Sequence, residues 1–152
     1  MNNLYSLNDQ YEWDAYWNKK EKQTYLLYDA IAYFYRNNII KPSLSYYLKK
    51  IFKENSFLLH AGCGSGQVDE NLSNNFCIHA MDISKQALIC YKKSNHNTAV
   101  FQGNIFNIPA KDETYDGIYN LGVMEHFYEQ DLLKILKEFN RVLKSGGVIV
   151  LF

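Results

Sequence analysis

The residues best suited to chemistry are gathered in FLLHAGCGSGQVDENL, positions 57–72. Gly62, Gly64 and Gly66 alternate with Cys63 and Ser65 directly after the short apolar run Phe57-Leu58-Leu59. Glycines at alternate positions let the backbone turn sharply and approach a ligand with no Cβ in the way. A helix-like segment follows, and a helix start there would offer free N–H groups at its positive end. About 20 residues past the first glycine, Asp82 closes a second apolar run, Cys77-Ile78-His79-Ala80-Met81. A carboxylate at that point can accept two hydrogen bonds from ribose hydroxyls, so loop and acid together point to a nucleotide-like ligand. Two amides, Asn104 and Asn120, stand just beyond further apolar runs.

Holding these groups together requires strands that end at one edge. Apolar runs at 57–59, 77–81, 99–101, 115–120 and 148–152 have strand character. Between them, Ser84 is a plausible N-cap for a helix carrying Ala87, Leu88 and Tyr91. The set Leu132, Ile135, Leu136, Phe139, Val142 and Leu143 predicts a helix over 129–144, with acids early, Arg141 and Lys144 late, and Gly146 as its stop. Alternating strands and helices imply right-handed crossovers and a parallel sheet covered on both faces, with the ligand beyond the carboxyl ends of the strands.

Ahead of this region lies an aromatic one. YEWDAYW at 11–17 packs four large rings into one segment, and YLLYDAIAYFY at 25–35 is apolar nearly all round, which predicts a helix covered on more than one side. Its rings could cover a face of the sheet, form a lid or acceptor pocket, or do both. Pro42 presets a further helix through Leu44, Tyr47, Leu48, Ile51 and Phe52, whose spacing gives one buried face.

The chain of 152 residues reads as a single domain, with a helical cap region over 1–55 and an α/β core over 56–152. Sixteen acids balance sixteen bases, so no global field draws it to nucleic acid or an anionic membrane. MNNLYSLNDQ is not a secretory leader and no long apolar span follows, which points to the cytoplasm. Cys63, Cys77 and Cys90 form no CxxC pair, so reduced thiols are expected, with neither a disulfide framework nor a metal site.

HAGCGSGQ, MDIS, GNIFNIP, YDGIYNLGVMEHF and LKEFNRVLKSGGVIVLF stand in the order and spacing of a known family. Over residues 57–152 the chain resembles the class I S-adenosylmethionine-dependent methyltransferases, of the small-molecule, methyltransferase type 11-like kind. The resemblance implies a Rossmann-like doubly wound sheet of five parallel strands in the order 3-2-1-4-5, with an N-terminal helical cap. It implies S-adenosylmethionine as cofactor, with S-adenosylhomocysteine as product. Ala61, Gly62, Cys63, Gly64 and Gly66 would wrap its methionine part and Asp82 would hold the ribose. Ile83 would pack on adenine, Asn104 and Ile105 would read the adenine edge, and Asn120 and Leu121 would line the cleft below the methyl group.

The chain departs from the family at two of these positions. His60 stands where the family usually has an acid facing the cofactor's ammonium group, and a neutral imidazole accepts a bond but supplies no charge, which predicts weaker binding. Asn104 stands where many members carry Asp, and its amide oxygen can still accept from adenine.

Glu125 and His126, just past the fourth strand, could serve as a base if the acceptor must lose a proton, or could support the loop. Asn120-Leu121-Gly122-Val123 does not resemble the motif of the nucleic-acid and amide N-methylating branch, so a small-molecule or lipid-like acceptor leads. The family would continue with a further helix and two strands. The fifth strand is therefore expected to be an exposed edge, open to a homodimer or a partner chain. A catalytically silent or truncated S-adenosylmethionine-binding subunit is the alternative. A dinucleotide oxidoreductase is disfavoured because Gln67 occupies the place of the third fingerprint glycine.

Overall fold

The computed structural model describes residues 10–22 and 26–152. The leader reading at positions 1–9 and Tyr25 of the aromatic segment lie outside the described residues. Five strands, β1 (Phe57–Ala61), β2 (Cys77–Asp82), β3 (Ala99–Gln102), β4 (Tyr115–Asn120) and β5 (Leu143–Leu151), form one sheet. Its order is β3-β2-β1-β4-β5 and every pair is parallel, as the sequence predicts. The helices are α1 (Gln10–Lys22), α2 (Leu26–Tyr35), α3 (Lys41–Ile51), α4 (Lys85–Ser94) and α5 (Glu129–Val142).

Alternation along the strands separates two cores. Leu59 and Ile118 join Ile135, Phe139 and Val142 of α5 on one face, while Leu58 and Tyr119 join Leu44 and Leu48 of α3 on the other. Successive side chains point to opposite faces, so a strand buried on both sides is apolar except where a polar group finds a partner; this is why β1 opens on the apolar run Phe57–Leu59. Opposite Ala80 of β2, Leu88 and Tyr91 of α4 complete the covering layer.

Four local expectations are corrected. No α-helix follows the glycine loop: residues 67–71 make successive turns, and a short 3-10 turn occupies Leu72–Asn74. Asp69 N–H bonds Gly66 O and Leu72 N–H bonds Asp69 O, and Asn71 adopts a left-handed φ of 72°. Side-chain competition by Asp and Asn, together with the inward turn of Asp69, accounts for the broken helix.

At the other end of the chain, α5 stops at Val142, before Gly146. Leu143 is already extended and pairs with Tyr115, and Gly146 lies in a register shift of β5 with φ 78°. In α3 the buried face is Leu44 and Leu48, whereas Tyr47 and Ile51 are exposed. The helix before it is not covered all round either: Tyr33 and Phe34 are 63% and 65% exposed. A π-helical turn over Arg36–Ile40 joins α2 to α3, a geometry suited to the missing N–H and ring bulk of Pro42.

Candidate functional site

The carboxyl ends of β1, β2 and β4 open into a cleft of about 830 Å³, within the usual size range of cofactor sites. Of the residues singled out in the sequence, His60, Gly62, Cys63, Gly64, Gly66, Asp82, Ile83, Asn104, Ile105, Leu121, Glu125 and His126 line it. Ala61 and Asn120 lie one layer beneath, where Asn120 Nδ2 donates to Ala61 O at 2.6 Å and ties β4 to the end of β1.

The glycine loop is held by the end of β2 instead of by a helix. Gly62 and Cys63 N–H groups both donate to Met81 O, at 2.8 and 2.9 Å. Asp82 grips the next turn: its Oδ2 accepts from Gly64 N–H at 2.8 Å and its Oδ1 from Ser84 N–H at 2.9 Å. Only 7% exposed, the carboxylate has a fixed orientation with further lone pairs available to a diol. Burial pushes its pKa up, a shift that these backbone bonds partly offset.

Behind the loop, α4 takes over the supporting role of the absent helix. Asn95 Nδ2 donates to Gly66 O at 2.9 Å, and the Tyr91 ring packs so closely that a Cβ on Gly66 would lie 2.1 Å from it. Beyond β3, Asn104 Oδ1 accepts from Phe106 N–H at 2.9 Å, shaping the turn at the cleft wall. The following loop is clamped from α5: Ile108 N–H donates to Glu138, and Arg141 donates to Ile108 O and Ala110 O.

Sequence reasoning did not specify how α1 would close the cleft. Trp17 rests on Gly64, where a Cβ would meet its ring at 2.8 Å, and Trp13 meets the His126 ring edge-on at 5.4 Å. Tyr16 stands between the two tryptophans. Asp14 anchors the helix by accepting from the Ser84 hydroxyl and from Gln86 N–H at α4's N-terminus. An acid within an aromatic helix was the available signal, although the sequence does not name its partner.

Burial works to raise the Asp14 pKa, but the bonds from Ser84, Gln86, Gln10 and Lys85 together hold it below its ordinary value. The clasp therefore contributes stability that is fully present above the ordinary carboxylate range and is lost as pH falls through the lowered value. Asp14→Ala is expected to speed hydrogen exchange in α1 at least threefold at pH 7. Exchange unchanged from wild type would show that the rings alone hold the helix down.

A parallel sheet in this order, with a glycine loop after its first strand and an acid closing its second, defines a Rossmann-like cofactor-binding protein. The chain belongs to the methyltransferase domain family, whose model matches residues 59–151, and is thereby one of the class I S-adenosylmethionine-dependent methyltransferases. An uncharacterized protein of Methanocaldococcus jannaschii is 30% identical over 136 residues, covering 89% of this chain and 57% of its own length. Demethylmenaquinone methyltransferase of Staphylococcus saprophyticus is 31% identical over 91 residues, covering 56% of this chain and 34% of that enzyme. A crystal structure of a protein from Pyrococcus horikoshii shares the fold with a TM-score of 0.64 at 24% identity, over 85% of this chain and 58% of that one. The match covers about half the length of the two Methanocaldococcus jannaschii relatives and about a third of the Staphylococcus saprophyticus enzyme.

Proposed function

We propose that the protein binds S-adenosylmethionine in this cleft and transfers its methyl group to a small-molecule or lipid-like acceptor. The observation that carries the reading is Asp82, a buried carboxylate fixed by Gly64 and Ser84 N–H groups at the wall of a cleft roofed by aromatic rings. The donor set fits the cofactor: Asp82 suits the ribose diol, Ile83 and Ile105 offer apolar contact to a base, and Asn104 adds an amide. When bound, the cofactor supplies a methyl group on a cationic sulfur, which leaves by in-line displacement.

The protein's part is orientation and exclusion of water. The backbone held by Met81 O and Asp82 fixes the cofactor's tail and ribose, and Trp13, Tyr16 and Trp17 close the roof. Glu125 and His126 line the acceptor side, where either could take a proton from an acceptor that must lose one.

Support for a small or lipid-like acceptor comes from the aromatic lining, in which Arg36 is the one lysine or arginine among the described residues. A single cation suits a compact acceptor better than a phosphate backbone. Among the described residues no helix is long and apolar enough to cross a membrane. Cys63, Cys77 and Cys90 form no disulfide among the described residues, in keeping with a cytoplasmic site of action.

Calorimetry with S-adenosylmethionine, S-adenosylhomocysteine and NAD tests the cofactor, with binding of the first two and not the third expected. Release of S-adenosylhomocysteine over a panel of quinol, phenol, amine and RNA acceptors tests the rest. Turnover with RNA alone would overturn the acceptor class.

The second reading is a cofactor-binding subunit that works with a partner chain. It is favoured by exposed rings running from Tyr46 through Tyr47 of α3 to Phe152 beside the outermost strand. Binding without turnover of any acceptor would support it.

A further inference from the structure

His60, the next-to-last residue of β1, stands where a carboxylate would complement a cofactor's ammonium group, yet the structure places a carboxylate directly behind it. His60 Nδ1 lies 2.6 Å from Asp69 Oδ2, and the two side chains are 2% and 1% exposed. The same oxygen accepts from the Tyr91 hydroxyl at 2.7 Å. Asp69 Oδ1 makes no hydrogen bond of ordinary geometry among the described residues, although the buried Tyr119 hydroxyl lies near enough to interact with the same carboxylate, and no lysine or arginine there pairs with this acid. A buried carboxylate with no fixed cation beside it is costly, and an arriving cation would relieve it.

The imidazole is fixed in plane as well as at its edge. Its ring stacks on Tyr119 at 4.4 Å with an interplanar angle of 28°. A carboxylate only accepts, so the bond to Asp69 puts the proton on Nδ1, and in the neutral ring Nε2 is then a bare acceptor. Nε2 has no partner among the described residues, and His60 lines the cleft.

We propose that Asp69, acting through His60, supplies the negative charge that receives the ammonium group of the cofactor's amino-acid tail. This rests on the cofactor reading above. The ammonium donates to Nε2, and the Asp69 carboxylate polarises the ring from the far side, as an acid orients and polarises a histidine in other polar relays. The acid absent from β1 is thus replaced by one set a ring's width further back, and His60 costs less affinity than an isolated imidazole would. Asp69 is a positioning residue; His60 makes the contact.

Two ligands separate this role from simple support of the loop. S-adenosylhomocysteine carries the amino-acid tail, whereas 5′-methylthioadenosine keeps the nucleoside and thioether and lacks it. In Asp69→Asn the amide can donate to Nδ1, which turns an N–H at Nε2 toward the cleft. The variant is expected to bind S-adenosylhomocysteine at least tenfold more weakly than wild type, with 5′-methylthioadenosine changed less than twofold. Equal losses for both ligands, or no loss for either, overturn the proposal. Wild-type protein that binds neither ligand overturns the cofactor reading and this inference with it.

Nitrogen NMR of the wild-type imidazoles gives a second measurement that does not depend on the variant folding. At pH 8, His60 is expected to be protonated on Nδ1 and bare on Nε2, with the Nε2 signal shifting on addition of S-adenosylhomocysteine and not of 5′-methylthioadenosine. A ring protonated on Nε2, whether neutral or cationic, overturns the assignment.

Discussion

Asp82→Ala is expected to weaken binding of S-adenosylhomocysteine about 30-fold or more. Removing a carboxylate that accepts two ribose hydrogen bonds leaves both donors unpaired, a loss of about 2–4 kcal/mol, and each 1.4 kcal/mol is about tenfold in affinity. The structure adds a second source of loss, because the same carboxylate accepts from Gly64 and Ser84 N–H groups and so shapes the loop that meets the ligand. Asp82→Asn tests charge at nearly constant shape, since an amide oxygen cannot serve both backbone donors and the diol as fully as two carboxylate oxygens can. Because burial raises the Asp82 pKa, protonation begins at higher pH than for an ordinary aspartate. Wild-type affinity should accordingly fall as pH drops through that raised value, since the neutral acid has lost an acceptor. Calorimetry at several pH values measures both effects, and an unchanged affinity in Asp82→Ala would remove the cofactor assignment.

The second large effect is on stability. Gly66 has φ 63°, and a Cβ there would meet the Tyr91 ring at 2.1 Å and Asn95 Nδ2 at 2.9 Å. The left-handed backbone costs a non-glycine residue about 1–2 kcal/mol, and overpacking a filled core costs about 1–3 kcal/mol more. Gly66→Ala should therefore lower unfolding free energy by about 2–5 kcal/mol on those magnitudes, measured by urea titration. Displacing Tyr91 would also disturb its bond to Asp69, so cofactor affinity should fall with stability. A variant as stable as wild type would mean that the loop relaxes away from α4 at little cost.

The sheet was legible because its strands carry apolar runs, one of them closed by Asp82 at the cleft and another by Asn120 just beneath it, and strict alternation of strands with intervening segments restricts the topology. The glycine loop was legible for the same local reason. What failed was the assumption that the segment after it must be helical. Residues 67–75 are crowded with Asp and Asn, and Asp69 is drawn inward by His60 and Tyr91, a contact spanning 22 positions on the Tyr91 side that no local pattern encodes. The exposed rings of α2 show the reverse error, since an apolar surface signals burial only when something lies against it. Asp14 illustrates a third kind of gap: its carboxylate docks on α4 across 70 positions, so its role is decided entirely by tertiary placement.

Cys63 stands in the wall of the cleft but is only 5% exposed. Burial, followed by the nearby carboxylates of Asp82 and Asp69, pushes its thiol well above the ordinary range. Thiolate is the nucleophilic form, so this sulfur is poorly suited to attack an electrophile at neutral pH. A covalent inhibitor aimed at the cofactor cleft would therefore find little reactivity there, while exposed Cys77, at the opposite end of β2, would be modified first. Selective chemistry at this cleft is better directed to reversible contacts with the tryptophans of α1, and Cys77 is better used as a handle for a label that leaves the cleft untouched.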